Sequence, residues 1–150
     1  MIYISHRGNL TGPQPQLENT PDYISEALSK GYFCEVDVFA HHGKLWLGHD
    51  DAQTETTVQF LKRSGIIAHA KNLDALAILL KEDVHCFFHN TDDYTITSKG
   101  WIWAYPNVMG TTMHACIAVL PEQNNTDVSN FTGICSDYLE NYKNDQTNSV

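Results

Sequence analysis

Short runs of apolar residues rich in β-branched and aromatic side chains recur along the chain, at positions 2–4, 33–39, 66–68, 84–88, 101–104, 116–120 and 133–135. Runs of this length and composition predict strands. Several lack clean alternation of apolar and polar residues, the pattern of strands covered on both faces, which points to a parallel sheet. Between the early runs the spacing becomes helical. Thr20 is placed to cap a helix with Pro21 at its first position, Tyr23, Ile24, Ala27 and Leu28 on one face, and Gly31 as its stop. A second helix is predicted over about 57–64, stopping at Gly65. A third is predicted over 73–82, with Asn72 as its cap and Leu73, Leu76, Ala77 and Leu80 on a buried stripe. Beyond Asn90 the helical spacing fades: 91–100, 106–114 and 122–133 read as turns and loops, and the polar tail 139–150 is expected to fray.

This order of elements predicts an α/β fold, a compact or truncated TIM-type (β/α) barrel with helices missing or shortened in its second half. Full barrels seldom run below about 200 residues, and this chain has 150. The whole of 1–150 is expected to form one domain, without internal repeats or low-complexity tracts.

Eighteen acidic against nine basic side chains give a formal charge of −9, which repels nucleic acid and anionic membrane surfaces. A site for a phosphate ester must therefore carry its own positive charge, from a bound cation or from clustered Arg and Lys. Cys34, Cys86, Cys116 and Cys135 lie apart, each within an apolar run, and read as buried strand thiols rather than as a disulfide framework or a zinc site. The first residues lack the charged-then-apolar pattern of a leader, so a cytosolic location is expected, and the glycosylation patterns at Asn9, Asn124 and Asn130 are then chance matches. No apolar stretch reaches the roughly 18 residues of a membrane span.

Reactive side chains gather where strands end. The first run leads into His6-Arg7-Gly8, and Glu35 and Asp37, two apart on a predicted strand, point to the same face. Inside a barrel such a pair of like charges is expensive unless a cation neutralises it, whereas on an exposed edge both acids are simply solvated. A further loop carries Gly48-His49-Asp50.

Taken in order, His6-Arg7-Gly8, Glu18-Asn19-Thr20, Glu35-Val36-Asp37 and Gly48-His49-Asp50 resemble the glycerophosphodiester phosphodiesterase family. The resemblance is specific over residues 1–50 and looser afterwards. The family's Glu-x-Lys strand corresponds to His69-Ala70-Lys71, with a histidine in place of the third acid, and 133–140 is similar to its last strand and following turn. The resemblance implies a TIM-type barrel holding one divalent cation, Mg²⁺ or Ca²⁺, through Glu35 and Asp37. It further implies His6 and His49 as acid and base on either side of the scissile phosphorus, a role that suits the near-neutral pKa of imidazole. Arg7 and Lys71 are the matching phosphate anchors. His69 has three readings: a nitrogen ligand that softens the site toward Mn²⁺ or Zn²⁺, a hydrogen-bonding partner of the phosphate, or a filler where ligation has been lost. Glu18 and Asn19 line the site, or Glu18 settles the end of the first helix through its dipole.

Other residues carry weaker signals. His89 and Asn90 end a predicted strand and face the active end or serve structure. Trp101 and Trp103 alternate on one strand as pocket floor or core. His41 and His42 read as exposed, Asp92 and Asp93 as a turn, and His85 and His114 fit no pattern. The expected function is hydrolysis of glycerophosphodiesters or similarly small phosphodiesters. One alternative is a lyase that stops at a cyclic phosphate, as in phospholipase D toxins of the spider-venom type, whose export signal and disulfides this sequence lacks. The other is an inactive relative that binds a phosphate ligand or a partner chain. Apolar surface left by lost helices makes a homo-oligomer an expected partner state.

Overall fold

The structure, a computed structural model, describes residues 1–106 and 115–147. In chain order its strands are β1 (Ile2–His6), β2 (Phe33–His41), β3 (Lys44–Leu47), β4 (Thr54–Thr56), β5 (Ile66–Ala70), β6 (Cys86–Phe88), β7 (Tyr94–Ile96), β8 (Ile102–Ala104), β9 (Cys116–Val119) and β10 (Gly133–Ser136). The α-helices are α1 (Pro21–Ser29), α2 (Val58–Leu61), α3 (Leu73–Lys81) and α4 (Leu139–Thr147). Each apolar run of the sequence thus contains a strand. The 106–114 loop falls, after Pro106, outside the described residues, as does His114.

Seven strands lie side by side and parallel in the order β6-β5-β2-β1-β10-β9-β8. β7 adds to β8 in the antiparallel sense, and β3 and β4 form an antiparallel ribbon on the far half of β2. The expectation of a TIM-type barrel is therefore overturned. This is a strand-dominated, curled half-barrel sheet of mixed direction, with only four short α-helices among the described residues. The physical reason lies between β6 and β8. A helical crossover with its loops takes a dozen or more residues, and here alternating Tyr94, Thr95 and Ile96 turn that segment into a strand.

The curl is visible in the packing. Ile4, Ile67, Phe87, Trp103, Ile117, Val119 and Cys135, from six different strands, share one buried cluster. The edges of β6 and β7 meet without a ladder: the Ser98 N–H donates to the Cys86 carbonyl at 2.7 Å and its Oγ accepts from the Cys86 N–H at 3.0 Å, while the Thr95 hydroxyl donates to the Phe88 carbonyl at 3.1 Å.

Helices cover the outer face around β2 and β5. α1 begins at Pro21 and buries Ile24 and Ala27, but the Thr20 hydroxyl donates back to the Leu17 carbonyl instead of capping it. Asn72 does cap α3, its Oδ1 accepting from the Ala75 N–H at 3.0 Å. The stripe predicted for α3 is wrong: Ala75 and Leu79 are buried, whereas Leu73, Ala77 and Leu80 face out. The tail does not fray at 139 either, because Leu139 is fully buried and holds α4 against β10. All four cysteines are buried free thiols. No helix of the described residues is long and apolar enough to cross a membrane.

Candidate metal centre

Side chains along a strand alternate between faces, so the inward positions can be counted forward from the core. From Ile4 the next on β1 is His6; on β2, Phe33 is followed by Glu35 and Asp37; on β5, Ile67 is followed by His69; and from Cys135 the next is Asp137, just past β10. Strand register supplies the rest, setting His6 beside Glu35 and Asp37 beside His69. Asp37 and Glu35 are 1% and 3% exposed. Each therefore needs compensation within the fold.

Two cations supply it, Arg7 and Lys71, joined by His69 when that imidazole is protonated. Arg7 Nε lies 2.9 Å from Asp37 Oδ2, His69 Nδ1 3.2 Å from Asp37 Oδ1 and 3.6 Å from Glu35 Oε1, and Lys71 Nζ 3.5 Å from Asp37 Oδ1. Asn19 braces the same carboxylate, donating from Nδ2 to Oδ2 at 2.9 Å and accepting the Asp37 N–H at 2.9 Å. Burial alone would push the Asp37 carboxyl up, but His69, Arg7 and Lys71 hold it well below the usual range. Burial likewise opposes the His69 imidazolium, yet the two carboxylates raise it to about 9.

Donor atoms of Glu35, Asp37 and His69 all lie within 4.8 Å of one another, close enough to hold one metal ion. Two carboxylate oxygens and one imidazole nitrogen suit a divalent cation between hard and borderline. Glu35 Oε2 and Asp37 Oδ1 are buried without an aligned hydrogen-bond donor. His69 is oriented for ligation through Nδ1, since its Nε2 lies 3.4 Å from the His89 carbonyl, the outer partner that a metal-bound imidazole normally has.

His6 sits at the edge of this cluster, with Nε2 4.0 Å from Glu35 Oε2 and Nδ1 2.8 Å from Asp137 Oδ1. Burial lowers its pKa, but the Asp137 hydrogen bond and the Glu35 charge outweigh burial and raise it. Asp137 shifts the other way: burial pushes it up, the His6 contact brings it down below its ordinary value. Asn9 Nδ2 ties Asp137 Oδ1 to Glu18 Oε1 at 2.9 and 2.8 Å, and Glu18 Oε2 accepts from Arg7 at 3.3 Å. Glu18 thus belongs to the site.

Two left-handed turns make the geometry possible. Arg7, at φ 58°, donates its N–H to the Glu35 carbonyl and is followed by Gly8 at φ 98°, where a Cβ would run into the Tyr23 ring. Gly48 donates its N–H to the Asp37 carbonyl at 3.2 Å, and a Cβ there would collide with the Asp51 carbonyl. The chain then carries His49 over the mouth. His49 lines, with His6, Arg7, Glu18, Asn19 and Asp137, a cleft of about 490 Å³. Its side chain is 40% exposed, with Nδ1 2.7 Å from Asp50 Oδ1.

His6, Arg7, Glu18, Asn19, Glu35, Asp37, His69 and Lys71 are therefore drawn into one network, and His49 stands across its mouth. Asp137, Asn9 and Tyr105 were missed by sequence reasoning. The signal for Asp137 was available, since 133, 135 and 137 share parity. Tyr105 stacks on His89 at 3.6 Å between ring centroids, and burial with the Glu35 charge raises its hydroxyl's pKa. Trp103 is core and Trp101 half-buried, while Asn90, Asp92, Asp93, His41 and His42 are exposed. His85 bonds to Thr97 Oγ1 at 2.8 Å and does not line this cleft.

Compared with family models, with curated proteins and with solved structures, the chain finds no match. The phosphodiesterase resemblance rests on the motifs themselves.

Proposed function

We propose that the chain is a metal-dependent phosphodiesterase that cleaves glycerophosphodiesters, or similarly small phosphodiesters, to an alcohol and a phosphomonoester. One observation carries the proposal: Glu35, Asp37 and His69 form a buried three-donor cluster in which Glu35 Oε2 and Asp37 Oδ1 have no aligned hydrogen bond, directly beside a His6–Asp137 pair. The cation, Mg²⁺ or Ca²⁺ or the softer Mn²⁺ or Zn²⁺ that His69 favours, would stabilise charge building on the phosphoryl oxygens.

The side chains supply the rest. Asp137 accepts from His6 Nδ1–H and so keeps the lone pair on Nε2, which faces the cluster and is the atom that takes or gives a proton. His49, across the cleft, provides the opposite transfer: one histidine removes a proton from the attacking water as the new P–O bond forms, and the other protonates the departing alkoxide; where a neighbouring hydroxyl of the substrate attacks first, the cyclic phosphate formed is then opened by water to the monoester. Arg7 and Lys71 bring the positive charge that a chain of net −9 needs to admit a phosphate.

A second reading, a phosphate-binding protein without turnover, draws on the same cluster. Arg7, His69 and Lys71 already balance the two acids, so the fold has no obligatory need of a metal. Hydrolysis of glycerophosphocholine and of bis(p-nitrophenyl) phosphate separates the two. Turnover lost in EDTA, restored by one added cation and absent from His6→Ala supports the enzyme. Folded protein that turns over neither substrate with any cation supports the binder. Phosphorus NMR of the product separates a linear monoester from a cyclic one.

A further inference from the structure

α3 is apolar on two sides. Ala75 and Leu79 are buried beneath it, with Leu76 and Ile78 packed at their margins. On the opposite side Leu73 is 74% and Leu80 53% exposed, with exposed Ala77 between them. These positions follow the i, i+4, i+7 spacing of a single stripe. A lone exposed leucine is ordinary, but two leucines bracketing a small residue along one helix form a packing surface, and none of the described residues covers this one.

We propose that two copies of this chain pair through α3, antiparallel, about a two-fold axis close to Ala77. The stripe is nearly symmetric about that residue, so each Leu73 meets Leu80 of the partner subunit and the two Ala77 side chains meet at the crossing, where their small size lets the helices approach. A two-fold interface requires this self-complementarity.

Charge selects the direction. Asp74 and Lys81, seven residues apart, flank the stripe on the same side, and neither has an ion-pair partner among the described residues. Antiparallel pairing sets each Asp74 opposite the partner's Lys81 on the same side of the seam, whereas parallel pairing leaves these charges on opposite sides of the seam without such a pair. Placement in the first and last turns also suits the helix dipole. That accounts for the charges and leaves the leucines without a purpose. Because α3 has nine residues, the contact is small, in the class below about 1,200 Å² where association is weak and transient.

Sedimentation velocity on the full chain, from about 10 µM to about 1 mM, tests this directly. The weight-average mass should rise toward two copies in the wild type and stay at one copy in Leu80→Glu and in Leu73→Glu, each shown folded by circular dichroism. Asp74→Lys alone should weaken association by about 10-fold, and Asp74→Lys with Lys81→Asp should restore it. A wild type that remains monomeric throughout overturns the proposal, as does a dimer indifferent to both leucine changes or a charge swap that does not restore it. None of these outcomes depends on phosphodiesterase activity.

Discussion

Around β2 and β5 the sheet is sandwiched: α1, α2 and α3 bury Ile24, Leu61, Ala75 and Leu79 against its outer face. Beyond β6, which α3 also covers, no helix intervenes between it and β8, and Phe88, Tyr94 and Ile96 are 43%, 63% and 65% exposed. The second region compensates from within. Phe87 and Trp103 lie 4.8 Å apart between ring centroids, Phe87 stacks on His69 at 4.7 Å, and these rings fill the inside of the curl. The two solutions divide labour at the candidate site. The helix-covered half holds the carboxylates in a buried frame, and the bare half supplies aromatic walls, while Asp137 reaches His6 from the junction of β10 with β1.

That division can be broken at several points. The largest effect is expected at the junction. If Asp137 orients His6, Asp137→Asn should lower kcat by roughly 100-fold to 10,000-fold with little change in the urea midpoint, measured on whichever diester the protein hydrolyses. A loss of stability matching the loss of rate would make Asp137 a structural residue only.

Next come the two cores. Trp103→Ala should cost about 3–5 kcal/mol and Leu79→Ala about 2–5 kcal/mol, read from urea unfolding. If interior rings alone sustain the bare half, Trp103→Ala should also split the transition into two, with the helix-covered half unfolding later; a single transition would show that both halves fold as one unit.

The seam between β6 and β7 is a smaller target. Ser98→Ala removes the hydroxyl that accepts the Cys86 N–H and donates to the Val84 carbonyl at 3.2 Å. It should cost about 1–3 kcal/mol and accelerate hydrogen exchange at the Cys86 amide. Unchanged exchange would mean that the curl closes without this bond.

Smallest is a pH effect in the bare half. Burial, then the Lys99 charge, pushes His85 down to about 4. The unfolded chain takes up this proton first on acidification, so stability is lost as pH falls from about 6.5 toward 4 and levels off below. His85→Gln should flatten that part of the stability profile; an identical slope would remove His85 as its cause.

Much of this was legible in local pattern. Apolar runs mark seven of the strands because β-branched and aromatic residues suit a pleated surface, and period-two parity puts Glu35 and Asp37 on one face whatever the fold around them. Asn72, Pro21 and Gly31 mark helix ends by chemistry that acts within a few residues. Other features depended on distant partners. Leu73-Asp-Ala-Leu-Ala-Ile-Leu-Leu-Lys81 is apolar on two faces, so its own sequence could not say which would be buried; the position of β2, β5 and β6 chose Ala75 and Leu79. Tyr94–Ile96, short and among turn-forming residues, became a strand through pairing with Ile102–Ala104. Likewise Leu139 turned a polar tail into α4.

The sequence by itself therefore determined seven of the extended segments, the first three helices and which side chains share a face, because backbone preference and side-chain alternation act over a few residues. Tertiary structure alone decided that the sheet curls without the helical crossovers of a full barrel, that His6 meets Asp137 across 131 positions, and that Asp37 is ringed by Arg7, His69 and Lys71. Those are outcomes of strand order and register, and they arise only when segments far apart in the chain bury one another's apolar surface.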